Sequence, residues 1–192
     1  RVRRNILRRS SVGFITTGRW PATSGEDSNA AGGVDADFRF FENIQATAYW
    51  ARTSSVGQGE DASYRGRFVY GGDRYGFEAE RVVVGPNFNP DVGLVRRGDV
   101  AINSGTLRFS PRFRSGRLVR RLLFQGDLDY VTDAAADVLE DRAVAGRFGV
   151  EFNSSDEVTL TATSQYERLP SDFVISRGVV VPAGAYSYDT LN

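Results

Sequence analysis

Hydrophobic and polar side chains alternate along most of this chain. From Val34 to Phe40 the even-numbered positions are apolar and most odd-numbered ones are charged. After a short turn over 41–43, the apolar positions resume at Ile44 and continue in alternation to Trp50. Strict alternation predicts β-strands that separate an apolar from a polar environment. The pattern therefore predicts an antiparallel hairpin, and the chain repeats it nearly end to end.

The same alternation predicts about nine or ten strands in all, since each apolar stretch is bounded by turn-forming residues. The basic segment 1–9 is predicted to be a linker or the start of a strand. Tight turns are expected near 42, 72 and 154, and long loops over 20–29, 54–61, 85–99, 133–141 and 170–185. Short turns on one side of a sheet and long loops on the other are typical of outer-membrane β-barrels.

Aromatic residues concentrate near the ends of the predicted apolar faces, whereas many mid-strand positions are small. The aromatic residues on the short-turn side are Phe40, Tyr70, Tyr75, Phe109 and Phe152, and those on the long-loop side are Trp50, Tyr64, Tyr130 and Tyr166. A lipocalin-like barrel or a sandwich would place its large aromatics mid-strand instead. Two aromatic girdles favour an all-β fold, an antiparallel up-and-down meander that forms part of a transmembrane β-barrel.

Composition narrows the function. The chain has 192 residues with 24 basic and 24 acidic side chains, so no polyanion-binding surface and no nucleic-acid partner are expected. It contains no Cys and no His, which removes thiolate and imidazole metal sites and Ser-His-Asp catalysis. We expect no metal and no cofactor. The absence of Met suggests that residues 1–192 are one barrel segment of a longer chain.

Several segments resemble a bacterial domain family of unknown function. The segments are 7–13, 33–40, 72–76, 87–93, 109–112 and 147–152. Members of that family usually follow a carbohydrate-binding module similar to family 9, in large envelope proteins of Gram-negative bacteria. The resemblance implies an outer-membrane β-barrel with outer-membrane lipid as a partner. The carbohydrate-binding module is absent from this chain, so glycan binding carries over to no residue here. A polar solute, with saccharides as one class, is expected instead from the charged lumen and the long loops. The resemblance supplies no catalytic residues.

The polar face of the predicted strands carries the candidate site. The lumen-lining candidates are Asp35, Asp37, Arg39, Arg65, Arg67, Glu78, Glu80, Arg108, Asp127, Asp129, Arg147 and Glu151. Paired carboxylates two residues apart on a strand would also suit a glycan-processing enzyme, but a mixed-charge lumen explains them all together. We therefore expect a pore or docking barrel rather than an enzyme. A membrane anchor for a carbohydrate-binding module is the remaining alternative.

Two local predictions follow. A turn centred on Gly72 and Asp73 would place Arg67 opposite Glu78 and Arg65 opposite Glu80, forming a ladder of four charges. The loop 85–99 contains the candidates Asn87, Phe88 and Asn89, which could stack on a sugar. The same loop could instead act as a plug or a structural cap.

Overall fold

The computed structural model describes residues 1–20, 28–57, 59–91, 93–113 and 118–192. These residues form thirteen β-strands and no helix. The strands are β1 (Val2–Ile6), β2 (Ser10–Arg19), β3 (Asn29–Phe40), β4 (Ile44–Ser55), β5 (Gly59–Gly71), β6 (Tyr75–Val84), β7 (Val100–Phe109), β8 (Val119–Thr132), β9 (Leu139–Phe152), β10 (Glu157–Leu169), β11 (Phe173–Ser176), β12 (Val179–Val181) and β13 (Gly184–Leu191).

Eleven of the strands form one antiparallel sheet in chain order, from β1 through β10 to β13. β11 and β12 form a separate hairpin within the connection from β10 to β13. The predicted all-β, up-and-down meander is confirmed. The estimate of nine or ten strands was low, partly because the basic segment 1–9 contributes strand β1.

The sheet is open in this structure. Within the described residues, β1 pairs only with β2, and β13 pairs only with β10. Eleven antiparallel strands in a row leave the first and last strands running in the same direction. The two edges therefore cannot join to each other as an antiparallel pair.

The tight turns lie where they were predicted, over 41–43, 72–74 and 153–156, and the 85–99 loop fills the gap between β6 and β7. The predicted loop over 54–61 was wrong. β4 continues to Ser55 and β5 begins at Gly59, because Gly57 and Gly59 both adopt φ of +83° and reverse the chain within three residues. The alternation of Ala62 and Tyr64 with Asp61 and Ser63 already indicated a strand there.

The sheet is a single layer, and its two faces differ in chemistry. We call the face that carries Phe68, Phe124 and Phe148 the apolar face; these three rings are 40%, 42% and 40% exposed. The opposite side is the polar face. Only three of the hydrophobic residues that the structure describes are buried, namely Val83, Val100 and Ala101. A soluble domain normally buries such a face against a second layer.

Aromatic rings line one row of the apolar face near the short turns. Phe109 stacks on Tyr75 with ring centroids 5.2 Å apart, and it also lies 6.1 Å from Phe124. Phe124 in turn lies 5.2 Å from Phe148. The guanidinium of Arg74 sits over the rings of Tyr75 and Phe109, at 5.7 and 5.3 Å. Such contacts stabilise neighbouring strands across the sheet.

Candidate functional site

Strand register places all twelve lumen-lining candidates on the polar face. One row across seven neighbouring strands illustrates this arrangement: it runs Ser11, Asp37, Thr47, Arg67, Glu80, Ser104 and Asp129. Every residue of the row carries a charged or hydroxyl side chain. The adjacent rows place Arg65 beside Tyr49, and Asp127 beside Thr106. A continuous polar surface therefore crosses the sheet on one side.

Arg65, Arg67, Glu78 and Glu80 form the expected cluster of four charges. Nε of Arg65 lies 2.8 Å from Oε1 of Glu80, and Nη2 of Arg67 lies 2.7 Å from Oε1 of Glu78. Nε of Arg67 lies 3.4 Å from Oε2 of Glu80. The predicted ion pairs are present, and Arg67 bridges both glutamates.

The predicted register of this hairpin was nevertheless wrong by two residues. Arg67 faces Glu80 rather than Glu78, and Arg65 faces Val82. Gly71 pairs with Gly76, so the turn is centred between Asp73 and Arg74, one residue later than expected. The arginine side chains are long enough to reach diagonal neighbours, so the same pairs form from a different alignment.

Three acidic residues elsewhere on the polar face also have close partners. Asp127 accepts hydrogen bonds from Thr106 Oγ1 at 2.8 Å and from Gln125 Nε2 at 2.9 Å. Asp37 lies 3.3 Å from Nε of Arg39 on the same strand. Asp35 lies 3.4 Å from Arg1, and its carboxylate rests against Gly13. These carboxylates are held by local donors, as in a mixed-charge surface.

Toward the short turns, two of the candidates hold the ends of strands. Arg108 lies across Gly76 and donates to the carbonyl oxygens of Gly72 and Asp73, at 2.6 and 3.2 Å. It thereby clamps the turn between β5 and β6. Glu151 lies 3.1 Å from Arg120 and 2.9 Å from Arg121, which ties β9 to β8.

Arg147 differs from the other candidate arginines. Among the residues that the structure describes, it has neither an ion-pair partner nor a side-chain hydrogen bond, whereas Arg108 donates to two carbonyl oxygens. The side chain of Arg147 is exposed on the polar face of β9. It lies opposite Gln125 on one side and Thr161 on the other. Arg147 is therefore the candidate arginine whose charge is most available to a solute.

The 85–99 loop folds across the end of the polar face. Asp61 accepts a hydrogen bond from the backbone N–H of Asn87 at 2.7 Å, and the N–H of Asn89 donates to Thr53 Oγ1 at 3.1 Å. The amide of Asn29 donates to the carbonyl oxygen of Asn89 at 2.7 Å. Through these contacts the loop is bound successively to β5, β4 and β3.

Two ion pairs join this loop to strands further away on either side of it, β2 and β9. Asp91 lies 2.7 Å from the guanidinium of Arg19 on β2, and Arg97 contacts Glu140 on β9. A side chain at Gly85 would overlap the carboxylate of Asp61. Because glycine has no side chain, the loop can begin close to the sheet. This geometry is that of a cap fixed over the polar face. Asn87 and Asn89 hold the cap through their backbones, with Phe88 half-buried between them.

Sequence reasoning missed the residues that anchor this cap. Arg19, Asn29, Thr53 and Asp61 all lie on the polar face, as their strand register shows. Two of them, Asn29 and Asp61, lie within the loops predicted over 20–29 and 54–61. Their odd-numbered positions continue the polar alternation of β3 and β5, and this was the available signal.

Within the described residues, no helix is long and apolar enough to cross a membrane. The same residues contain no group of three or more acidic side chains arranged to hold a metal ion. Comparisons with protein-family models, with curated proteins and with solved structures found no match to this chain.

Proposed function

We propose that this chain is a segment of a β-barrel in the outer membrane of a Gram-negative bacterium. Its polar face would line a water-filled lumen that passes or binds a polar solute, with saccharides as one candidate class. One observation carries the proposal: the sheet is a single layer with large exposed hydrophobic side chains on one face and mixed charges on the other. A bilayer on one side and water on the other satisfy both faces.

Strand length supports the same placement. Strands β2 to β10 contain 10 to 14 residues, and a tilted transmembrane strand needs about 9–11. The two open edges would be unpaired in lipid, where unsatisfied backbone groups are costly. Because the edge strands run in the same direction, an all-antiparallel barrel requires an odd number of further strands.

The polar face indicates what kind of solute would pass. The charges of Arg65, Arg67, Glu78 and Glu80 balance one another. The electrostatic potential at this level of the lumen is therefore close to zero. The 85–99 cap covers one end of this face and would narrow the lumen there. Both features favour an uncharged polar solute over a small ion, and saccharides are one class of such solutes.

A conductance measurement in planar bilayers tests the proposal. We expect the full-length protein to form a pore with weak ion selectivity, and Arg147→Glu to shift its selectivity toward cations. Arg177→Glu is the matched control, because Arg177 lies in the turn between β11 and β12, outside the sheet.

The same two variants, together with Asp127→Asn, distinguish a pore from a membrane anchor and from an enzyme. If the barrel only anchors a carbohydrate-binding module, the protein inserts but neither substitution changes conductance. If it houses an enzyme, Asp127→Asn abolishes glycan turnover. Failure of the protein to enter bilayers would contradict the proposal outright.

A further inference from the structure

On β6 to β10 the apolar face ends at one register row near the long loops, whereas the same row carries no polar side chain on β2 to β5. On β6 to β10 the last uncharged row contains Ala79, Gly105, Leu128, Val144 and Ser164. The next row, which we call the boundary row, contains Arg81, Asn103, Tyr130, Arg142 and Tyr166. All five of its side chains can donate hydrogen bonds, and none is acidic. The face therefore changes from apolar to donor-rich within a single row.

The two arginines of the boundary row have no carboxylate partner within the described part of the chain. Arg81 donates from Nη1 to Oδ1 of Asn103 at 2.6 Å, a neutral partner, and both arginines are exposed. Arg52 on the same face of β4 differs, because it contacts Glu60. Arg81 and Arg142 thus present two uncompensated positive charges on the outward side of the sheet.

We propose that the boundary row binds the phosphate groups of anionic lipid headgroups. This inference rests on the membrane placement proposed above, and it identifies the class of lipid that contacts the boundary row. Arg81 and Arg142 are three strand spacings apart, about 14 Å, so each can bind a separate phosphate. A guanidinium binds phosphate oxygens through two parallel hydrogen bonds.

The neighbouring residues favour an amphiphile over an acidic protein partner. Leu128 and Val144 lie directly beside Tyr130 and Arg142 on their own strands, and both are exposed. A ligand that reaches the arginines therefore also covers an apolar surface that continues down the strands. Tyr130 and Tyr166 flank Arg142 at the level where tyrosines meet lipid headgroups. A lipid matches this arrangement, because its anionic headgroup can bind the arginines while its acyl chains cover the adjacent apolar surface.

Lipid binding by the full-length protein in detergent tests this inference. Native mass spectrometry would compare phosphatidylglycerol, lipid A and phosphatidylcholine added to the wild type and to Arg81→Gln/Arg142→Gln. We expect the wild type to prefer the anionic lipids and the double variant to lose about tenfold in apparent affinity for them. Arg147→Gln is the control, since it removes the same charge from the opposite face of β9 and should leave the preference intact. The anionic lipid that binds more tightly identifies the phosphate source.

Three results from the variants and the competitor would overturn the inference. The double variant could keep the preference, Arg147→Gln could lose it equally, or glycerol phosphate without acyl chains could compete as well as the lipid. Insertion into vesicles is measured in parallel. Wild-type protein that inserts but shows no anionic preference refutes only the boundary row, whereas protein that enters no bilayer refutes the membrane placement as well.

Discussion

Arg67 faces Glu80 across the β5–β6 hairpin, yet its shortest ion pair, 2.7 Å, is the diagonal one to Glu78. The other diagonal is occupied as well, because Arg65 lies 2.8 Å from Glu80. The cluster is therefore asymmetric: Arg67 and Glu80 each contact two partners, while Arg65 and Glu78 each contact one. This asymmetry determines which charge reversals should compensate one another.

Arg67→Glu should destabilise the protein by about 1–2 kcal/mol, because it replaces two attractive contacts with two repulsive ones. Adding Glu78→Arg should restore most of that loss, since the new pair reforms while Arg65 keeps Glu80. Adding Glu80→Arg should restore less, because the new arginine would repel Arg65. Chemical denaturation of the three variants measures this order. Equal rescue by both second substitutions would contradict the observed diagonal pairing.

The hydrogen bonds of Asp61 should control how firmly the 85–99 cap is held. The loop contains Arg96 and Arg97, so trypsin reports directly on its release. Asp61→Ala removes the acceptor for the N–H of Asn87 and should accelerate cleavage after these arginines by about fivefold or more, because local opening exposes the sites. Glu60→Ala is the control, since Glu60 lies on the other face and contacts Arg52. Unchanged cleavage in Asp61→Ala would show that other contacts hold the cap.

Two adjacent glycines on β3 should respond oppositely to alanine. A Cβ at Gly33 would stand 2.9 Å from the carbonyl oxygen of Trp50 and 3.1 Å from Cβ of Ala51, so the backbones must separate. A Cβ at Gly32 would meet only the carbonyl oxygen of Ile15, at 4.0 Å. Gly33→Ala should cost about 1–3 kcal/mol, whereas Gly32→Ala should be neutral or slightly stabilising. Thermal melts of the two variants distinguish them, and equal melting temperatures would contradict the close approach of β3 and β4.

Alternation was sufficient to predict the meander and the face of the twelve lumen-lining candidates, because a side-chain period of two is set by the strand backbone itself. It could not fix the register of the β5–β6 hairpin. The charged residues satisfy their ion pairs in both alignments, and Gly71 and Gly72 allow the turn to shift. The hydrophobic pattern does not distinguish the two alignments either, because a shift of two residues leaves every side chain on its own face.

The cap over the polar face was beyond sequence reasoning for a different reason. Its anchors, Arg19, Asn29, Thr53 and Asp61, lie on four strands and are brought together only by the sheet. The loop is held largely through backbone groups such as the N–H of Asn87 and Asn89, which have no sequence signature. The sequence therefore indicated a long loop that could act as a cap, but not which strands it would fold across.

In the proposed placement, the apolar face meets lipid and the polar face meets water. Residues 1–192 contain no Cys. Once any Cys elsewhere in the full-length protein is replaced, a single cysteine can be placed at each position of β8 from 124 to 129 and spin-labelled in bilayers. Collisions with oxygen, which concentrates in lipid, and with a water-soluble nickel chelate then report the surroundings of each label. Labels at 124, 126 and 128 should respond to oxygen, and labels at 125, 127 and 129 to the chelate, with a period of two. Equal chelate access at all six positions, or even-numbered labels shielded from both reagents inside protein, would contradict the account.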